Sequence, residues 1–242
     1  MQHRSKKIKK SFFIILVVLI VLSGGSAIYL GNYYHSVDVE KYMNGSSEVS
    51  VEKFDKGWFF DGAGEEKALI FYPGAKVATE AYAPLMYQLA ESGIDCFLVD
   101  MPFHMAFFGM NRAEEIMQEY NYEAWYLGGH SLGGAMAANF AADYVEDHTD
   151  GIRGLLLLAA YPTKDLSTSD MSVVTVYGSE DGVLNMDKIV AGRELMPQDY
   201  KEVCIEGGNH AQFGSYGTQK GDGTAAIPAE EQWARTVEVF VG

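Results

Sequence analysis

One serine stands crowded by glycines: GGHSLGGAMA, residues 128–137. Ser131 is flanked by Gly129 and Gly133, the G-x-S-x-G spacing of a serine on a sharp turn between a strand and a helix. The apolar lead-in AWYLG and the helix-forming run LGGAMAANFAADYV supply that strand and that helix. A serine held at such a tip adopts a strained backbone. The residues two positions away must then lack side chains, because strand and helix nearly touch. A helix N-cap would also explain Ser131, but not the paired glycines. The spacing therefore predicts a nucleophile.

A serine hydroxyl needs a base, and the base needs an orienting acid. On a strand–turn–helix of this kind the order along the chain is serine, acid, histidine. Two histidines follow Ser131, namely His148 and His210. His148 closes the helix that Ser131 opens, about 25 Å away at 1.5 Å per residue, and cannot reach. His210, in GGNHAQFG just after an apolar strand, can. The acid is expected after the strand at residues 172–177, where YGSEDGVLN offers Glu180 and Asp181. Asp181 is the choice, with Glu180 as the alternative. A developing oxyanion needs two backbone N–H donors. Leu132, next to the nucleophile, should give one. Ala75, in the Pro-Gly-Ala turn after KALIFY, should give the other.

Other elements must hold these residues. A hairpin is predicted over residues 49–60 with Gly57 near its turn, then strands over 67–72, 94–99, 124–128, 152–160, 172–177 and 200–205. Helices are predicted over 79–92, 112–120, 132–145, 186–196 and 228–240. Strands that are apolar throughout and alternate with helices make an α/β domain, a mostly parallel, doubly wound sheet covered on both faces. No long insertion follows the strand at 152–160, so no large lid is expected. The loop PFHMAFFGM, residues 102–110, follows a strand's C-terminal end, where such sheets build their sites. Its phenylalanines and methionines suit either an acyl pocket or packing beneath the loop. The glycine-rich segment 207–223, with Phe213 and Tyr216, is long enough to cover a cleft.

The set FYPGAKV, VDMPF, GGHSLGGAMA, YGSEDGV and GGNHAQFGSYG, in this order, resembles the α/β-hydrolase superfamily, and within it the dienelactone-hydrolase-related family known as alpha/beta hydrolase fold-5. The resemblance covers about residues 67–242. It implies a Ser131–His210–Asp181 triad with Ala75 and Leu132 as oxyanion donors, acting on a small-molecule acyl substrate without a cofactor. The nucleophile position holds serine where related dienelactone hydrolases have cysteine. A carboxylic ester is the first expectation; thioester, lactone and amide cleavage, or acyl transfer to an envelope alcohol, stay open. A non-catalytic binding module that kept the fold is the rival from another class, and the complete set of three residues speaks against it.

The chain has 242 residues and a net charge of −15. Five of its 18 basic residues stand in the first ten positions, and all 33 acidic residues come later. An acidic body repels phosphate backbones, which excludes nucleic acid as a partner. Positions 11 to 34 carry no charged residue. As a helix they would reach about 36 Å, against about 30 Å of bilayer hydrocarbon. The basic flank should stay cytoplasmic and the following chain outside. Residues 1–36 thus read as basic flank and uncleaved membrane anchor, with Tyr33 and Tyr34 as interfacial aromatics; a cleaved signal peptide and a secreted body are the alternative. Residues 37–242 form the domain, entered through a polar linker at 37–50. Cys96 and Cys204, each in an apolar run, read as buried small hydrophobes, and two cysteines without a Cys/His cluster give no metal site.

Overall fold

The computed structural model describes residues 31–148 and 151–242. The anchor and cleavage expectations for residues 1–30 lie outside them. Among the described residues no helix is long and apolar enough to cross a membrane. A compact body spans Tyr34–Gly242.

Eight strands form one sheet: β1 (Ser50–Phe54), β2 (Gly57–Asp61), β3 (Lys67–Tyr72), β4 (Asp95–Val99), β5 (Ala124–His130), β6 (Ile152–Leu158), β7 (Ser172–Gly178) and β8 (Tyr200–Ile205). Their order is β1-β2-β4-β3-β5-β6-β7-β8. β1 and β2 are an antiparallel hairpin, and β2 runs antiparallel to β4. From β4 through β8 every pairing is parallel. The chain moves outward from β3 to β4, then returns to lay β5 on the other side of β3. That reversal opens a crevice at the C-terminal ends of β3 and β5, where Tyr72 pairs with Gly129.

The β3 strand shows why both faces are covered. Leu69 and Phe71 enter one core with Leu85 and Leu89 of α2 (Ala83–Glu91) and Trp233 of α6 (Ala229–Val241). Ala68, Ile70 and Tyr72 enter the other, with Ala113 and Ile116 of α3 (Arg112–Glu119) and Ala137 and Ala141 of α4 (Leu132–Asp147). The two-residue period divides one apolar run between two cores. Each fully buried large aliphatic or aromatic side chain there contributes about 1.5–3 kcal/mol. Residues 159–171, between β6 and β7, form no separate lid. They lie on the body with Leu166 and Met171 buried and with Thr163 and Lys164 bonded to Asn139 and Asp143 of α4.

Two expectations need correction, those for residues 37–50 and for Cys204. Residues 37–50 are not a solvated linker. Val39 and Val49 are buried around the short helix α1 (Glu40–Met43), and Ser215 exchanges hydrogen bonds with Val37. Tyr34, expected as an interfacial aromatic, has contacts within the body. It bridges Val77, packs on the ring of Tyr216 and accepts the Lys220 N–H. Cys204 is exposed, because β8 is an edge strand with several outward residues; only Cys96 is buried.

Candidate active site

Ser131 follows β5 at φ 54°, ψ −122°. For a residue with a Cβ this is a strained conformation. Its N–H is held by the Leu158 carbonyl at 2.8 Å, which ties the turn to β6. Ser131 occupies the N-cap position of α4, yet its hydroxyl makes no capping bond. The glycines act by removing volume. A Cβ at Gly133 would stand 2.1 Å from the Tyr72 oxygen, and one at Gly129 would stand 2.6 Å from the Gly133 carbon. A third glycine belongs to the set, since a Cβ at Gly134 would meet Ala160 at 2.5 Å. Strand, helix and the end of β3 therefore pass at backbone distance, and any side chain would push the serine off its tip.

His210 and Asp181 meet although 29 positions separate them. Asp181 follows β7 and His210 follows β8, and these neighbouring parallel strands deliver both at one edge. His210 Nδ1 lies 2.8 Å from Asp181 Oδ2, with both side chains buried. The other carboxylate oxygen of Asp181 accepts the N–H groups of Val183 and Leu184 at 2.8 and 2.7 Å. The carboxylate is thus fixed by three donors, and the acceptor at Nδ1 sets the imidazole tautomer. Glu180 is exposed and accepts only from Ser179. His210 Nε2 is buried and has no hydrogen-bond partner among the described residues. A buried polar atom without a partner asks for one.

Ser131 and His210 line one cleft of about 270 Å³, with Leu132, Ala135, Ala160, Tyr161, Val183 and Leu184 among its walls. No hydrogen bond joins the serine hydroxyl to the ring in this state. Leu132 N–H, at the first turn of α4, has no hydrogen bond among the described residues. Ala75 is not in the cleft wall but stands at the end of β3, against which Gly133 packs. The N–H groups around it are spent: Gly74 donates to Tyr82 Oη, Lys76 to the His104 carbonyl, and Val77 to the Gly74 carbonyl. Ala75 N–H has no such bond. A larger hollow lies behind the His210 loop, lined by Val37, Gln212, Ser215 and Asp222, but it contains neither Ser131 nor His210.

Several residues of the site were not singled out from the sequence. Tyr82, fully buried, accepts the Gly74 N–H at 3.0 Å and lies 2.7 Å from His130 Nδ1. The phenol is left its own proton to donate, so the His130 ring carries its hydrogen on Nε2. That nitrogen is buried and has no hydrogen-bond partner among the described residues. The two imidazoles sit with centroids 4.4 Å apart. Burial, reinforced by the neighbouring His210, holds the His130 pKa well below the usual histidine value. Asp222 gathers backbone amides from both loops: its Oδ1 accepts from Gly182, His210 and Gly223, and its Oδ2 from Ala211. Gln232 of α6 exchanges two bonds with the Asn209 backbone. The unusual length of the 207–223 segment was the signal available for Asp222. His148 stacks on Tyr144, far from the site, as its place on α4 requires. Phe213 and Tyr216 are buried beneath the His210 loop and do not cover the cleft. The phenylalanines of residues 102–110 line no part of it. Among the described residues no group of three or more His, Cys, Asp or Glu side chains is placed to hold a metal ion.

A model of the alpha/beta hydrolase family matches residues 68–234. The chain belongs to that family. Every residue described above as converging on the cleft falls within or beside the matched span. No curated protein matches the chain. Among solved structures, a thermostable esterase from Pseudomonas putida is 17% identical with a TM-score of 0.58, over 92% of this chain and 87% of that one. Carboxyl esterase 2 from Tuber melanosporum is 13% identical with a TM-score of 0.58, over 86% and 91%. A bacterial heroin esterase is 13% identical with a TM-score of 0.56, over 84% and 87%. At such identities the likeness is one of fold, and both family and neighbours are those of hydrolases.

Proposed function

We propose that this alpha/beta hydrolase cleaves a carboxylic ester through Ser131, His210 and Asp181. The observation that carries the reading is the shared cleft. A strained serine with an uncapped hydroxyl faces the same space as a histidine whose Nδ1 is already bound to a buried carboxylate and whose Nε2 is unspent. Ser131 Oγ attacks the carbonyl carbon as His210 Nε2 takes its proton. The negative charge on the former carbonyl oxygen is met by the N–H groups of Leu132 and Ala75. The tetrahedral species collapses, the C–O bond breaks, and His210 returns the proton to the departing alcohol. Water, deprotonated by the same nitrogen, then releases the acid and restores the serine. Asp181 orients the ring and stabilises its cationic form. The serine–histidine bond that is open in the free enzyme closes when substrate fills the cleft, as is usual for such pairs.

The apolar run at positions 11 to 34 and its basic flank support a single-pass anchor with the body on the extracytoplasmic side. The N-terminal sequence of the mature protein tests this: a start near Ile28 would replace the anchor with a cleaved signal. For the chemistry, Ser131→Ala is compared with the unaltered protein on short p-nitrophenyl esters and with a fluorophosphonate probe. Loss of both turnover and labelling is expected. Unchanged turnover would end the proposal.

A further inference from the structure

The loop after β4 turns three phenylalanines to the outside. Phe103, Phe107 and Phe108 are 58%, 68% and 56% exposed, and no other phenylalanine or tryptophan among the described residues is exposed to that degree. Their rings touch edge to face at 5.7 and 5.6 Å, so they form one patch. The patch is built. Phe103 and His104 both hold left-handed backbone, at φ 57° and 54°, which bulky residues rarely adopt. The loop is pinned at each end: the His104 carbonyl accepts from Lys76 N–H at 2.7 Å, and Tyr72 Oη donates to the Met110 carbonyl at 2.5 Å. Such patches mark a surface that meets something apolar.

Two observations identify the occupant. The loop follows β4, the cleft residues follow β5, β7 and β8, and these parallel strands end on one edge of the sheet. The body's first residue, Tyr34, meets that edge as well. Its N–H donates to the Lys76 carbonyl and its carbonyl accepts from Ala78, so Lys76 joins it to the phenylalanine loop. The chain preceding Tyr34 is the uncharged stretch of positions 11 to 34, long enough to cross a bilayer. The apolar patch, the candidate cleft and the point where an apolar segment enters the body therefore share one edge.

We infer that Phe103, Phe107 and Phe108 seat in the lipid–water interface of a bilayer, and that the cleft on the same edge of the sheet receives an acyl ester carried in that bilayer. The substrate part of this inference rests on the esterase reading, and the seating rests on the anchor reading. The acidic body makes a zwitterionic surface the compatible one. Aromatic rings at headgroup depth hold a protein at an interface by buried apolar area.

The test uses the full chain in phosphatidylcholine vesicles. In a Cys204→Ser background, an environment-sensitive fluorophore is placed at Phe107→Cys or at Glu65→Cys, which precedes β3 at the opposite edge. Doxyl-labelled phosphatidylcholine should quench the first label at least about twofold more than the second. Equal quenching overturns the seating. So does shielding at position 107 that appears in detergent and rises with protein concentration, because a second copy would then cover the patch. A paired Phe107→Ser/Phe108→Ser variant should keep its turnover of soluble p-nitrophenyl acetate while losing about tenfold on a long-chain p-nitrophenyl ester dissolved in vesicles. Equal loss on both substrates overturns the substrate assignment. Absence of acetate turnover in the unaltered protein would end the esterase reading, and the fluorophore measurement would still decide the seating.

Discussion

Two imidazoles stand 4.4 Å apart at the end of β5 and β8, and their surroundings divide their work. His210 has a carboxylate on Nδ1 and nothing on Nε2. His130 has a phenol on Nδ1 and, like His210, a buried Nε2 without a partner, but it is no part of the cleft wall. A carboxylate can hold a ring that gains a proton, whereas a phenol in a dry pocket cannot. Adjacency to the nucleophile in the chain thus says little about which histidine serves it. The partner of the first nitrogen separates a base from a brace.

The largest expected effect exchanges the same side chain at both places. His210→Asn keeps a polar atom near Asp181 but removes Nε2, and ester turnover should fall by about a thousandfold or more. His130→Asn keeps an acceptor for Tyr82 and should cost less than about tenfold. Comparable losses from the two would erase the distinction, and parallel steady-state kinetics of the purified variants decide it. Next in size, Asp181→Asn should reduce kcat by about a hundredfold to ten-thousandfold, while Glu180→Gln leaves it unchanged; if the glutamate variant is the impaired one, the acid has been assigned to the wrong neighbour.

Below these come effects on the scaffold that both rings share. Gly133→Ala sets a methyl 2.1 Å from the Tyr72 oxygen. Forced displacement of this kind costs about 1–3 kcal/mol, read as a lower Tm with loss of activity. Tyr82→Phe strips a partner from Gly74 N–H and from His130 Nδ1. Groups left unsatisfied in the interior cost about 1–3 kcal/mol, and denaturant titration should show it with Asp181–His210 intact. The smallest effect is one of pH. The folded protein holds His130 below its unfolded value near 6.5. The unfolded chain therefore binds the extra proton as pH falls through about 6.5, and this residue withdraws stability on the acid side only. The slope is at most one proton, about 1.4 kcal/mol per pH unit. His130→Asn should flatten the fall in Tm between pH 6.5 and 5; an unchanged slope would mean that the ring is not held neutral.

What the sequence made legible follows the range of the forces involved. The strand run 152–160, the helix opened by Leu132 and the hairpin at Gly57 rest on local patterning and glycine sterics, and they stand where those features put them. That the loops after β7 and β8 meet follows from neighbouring parallel strands ending together, whereas Asp181 is told from Glu180 in the sequence only by the resemblance of its Gly182-Val183 sequel. The Tyr82–His130 contact spans 48 positions and has no local mark. Asp222 bonds backbone amides, which carry no residue identity at all. Cys204 is exposed although its run is apolar, because an apolar run does not announce that its strand lies at an edge. The valines at 39 and 49 were hidden in a stretch polar on average, though each fills a place in the core.

Asp222 bonds to the loop after β7 and to the loop after β8. By clasping amides on both sides of the site, it makes the acid-bearing and base-bearing loops mechanically one piece. A thermal excursion that carries Asp181 also carries His210, so the spacing between them is buffered against motions that would detune two independent loops. Severing that clasp should blur the geometry of proton transfer while every transferring atom remains in the molecule.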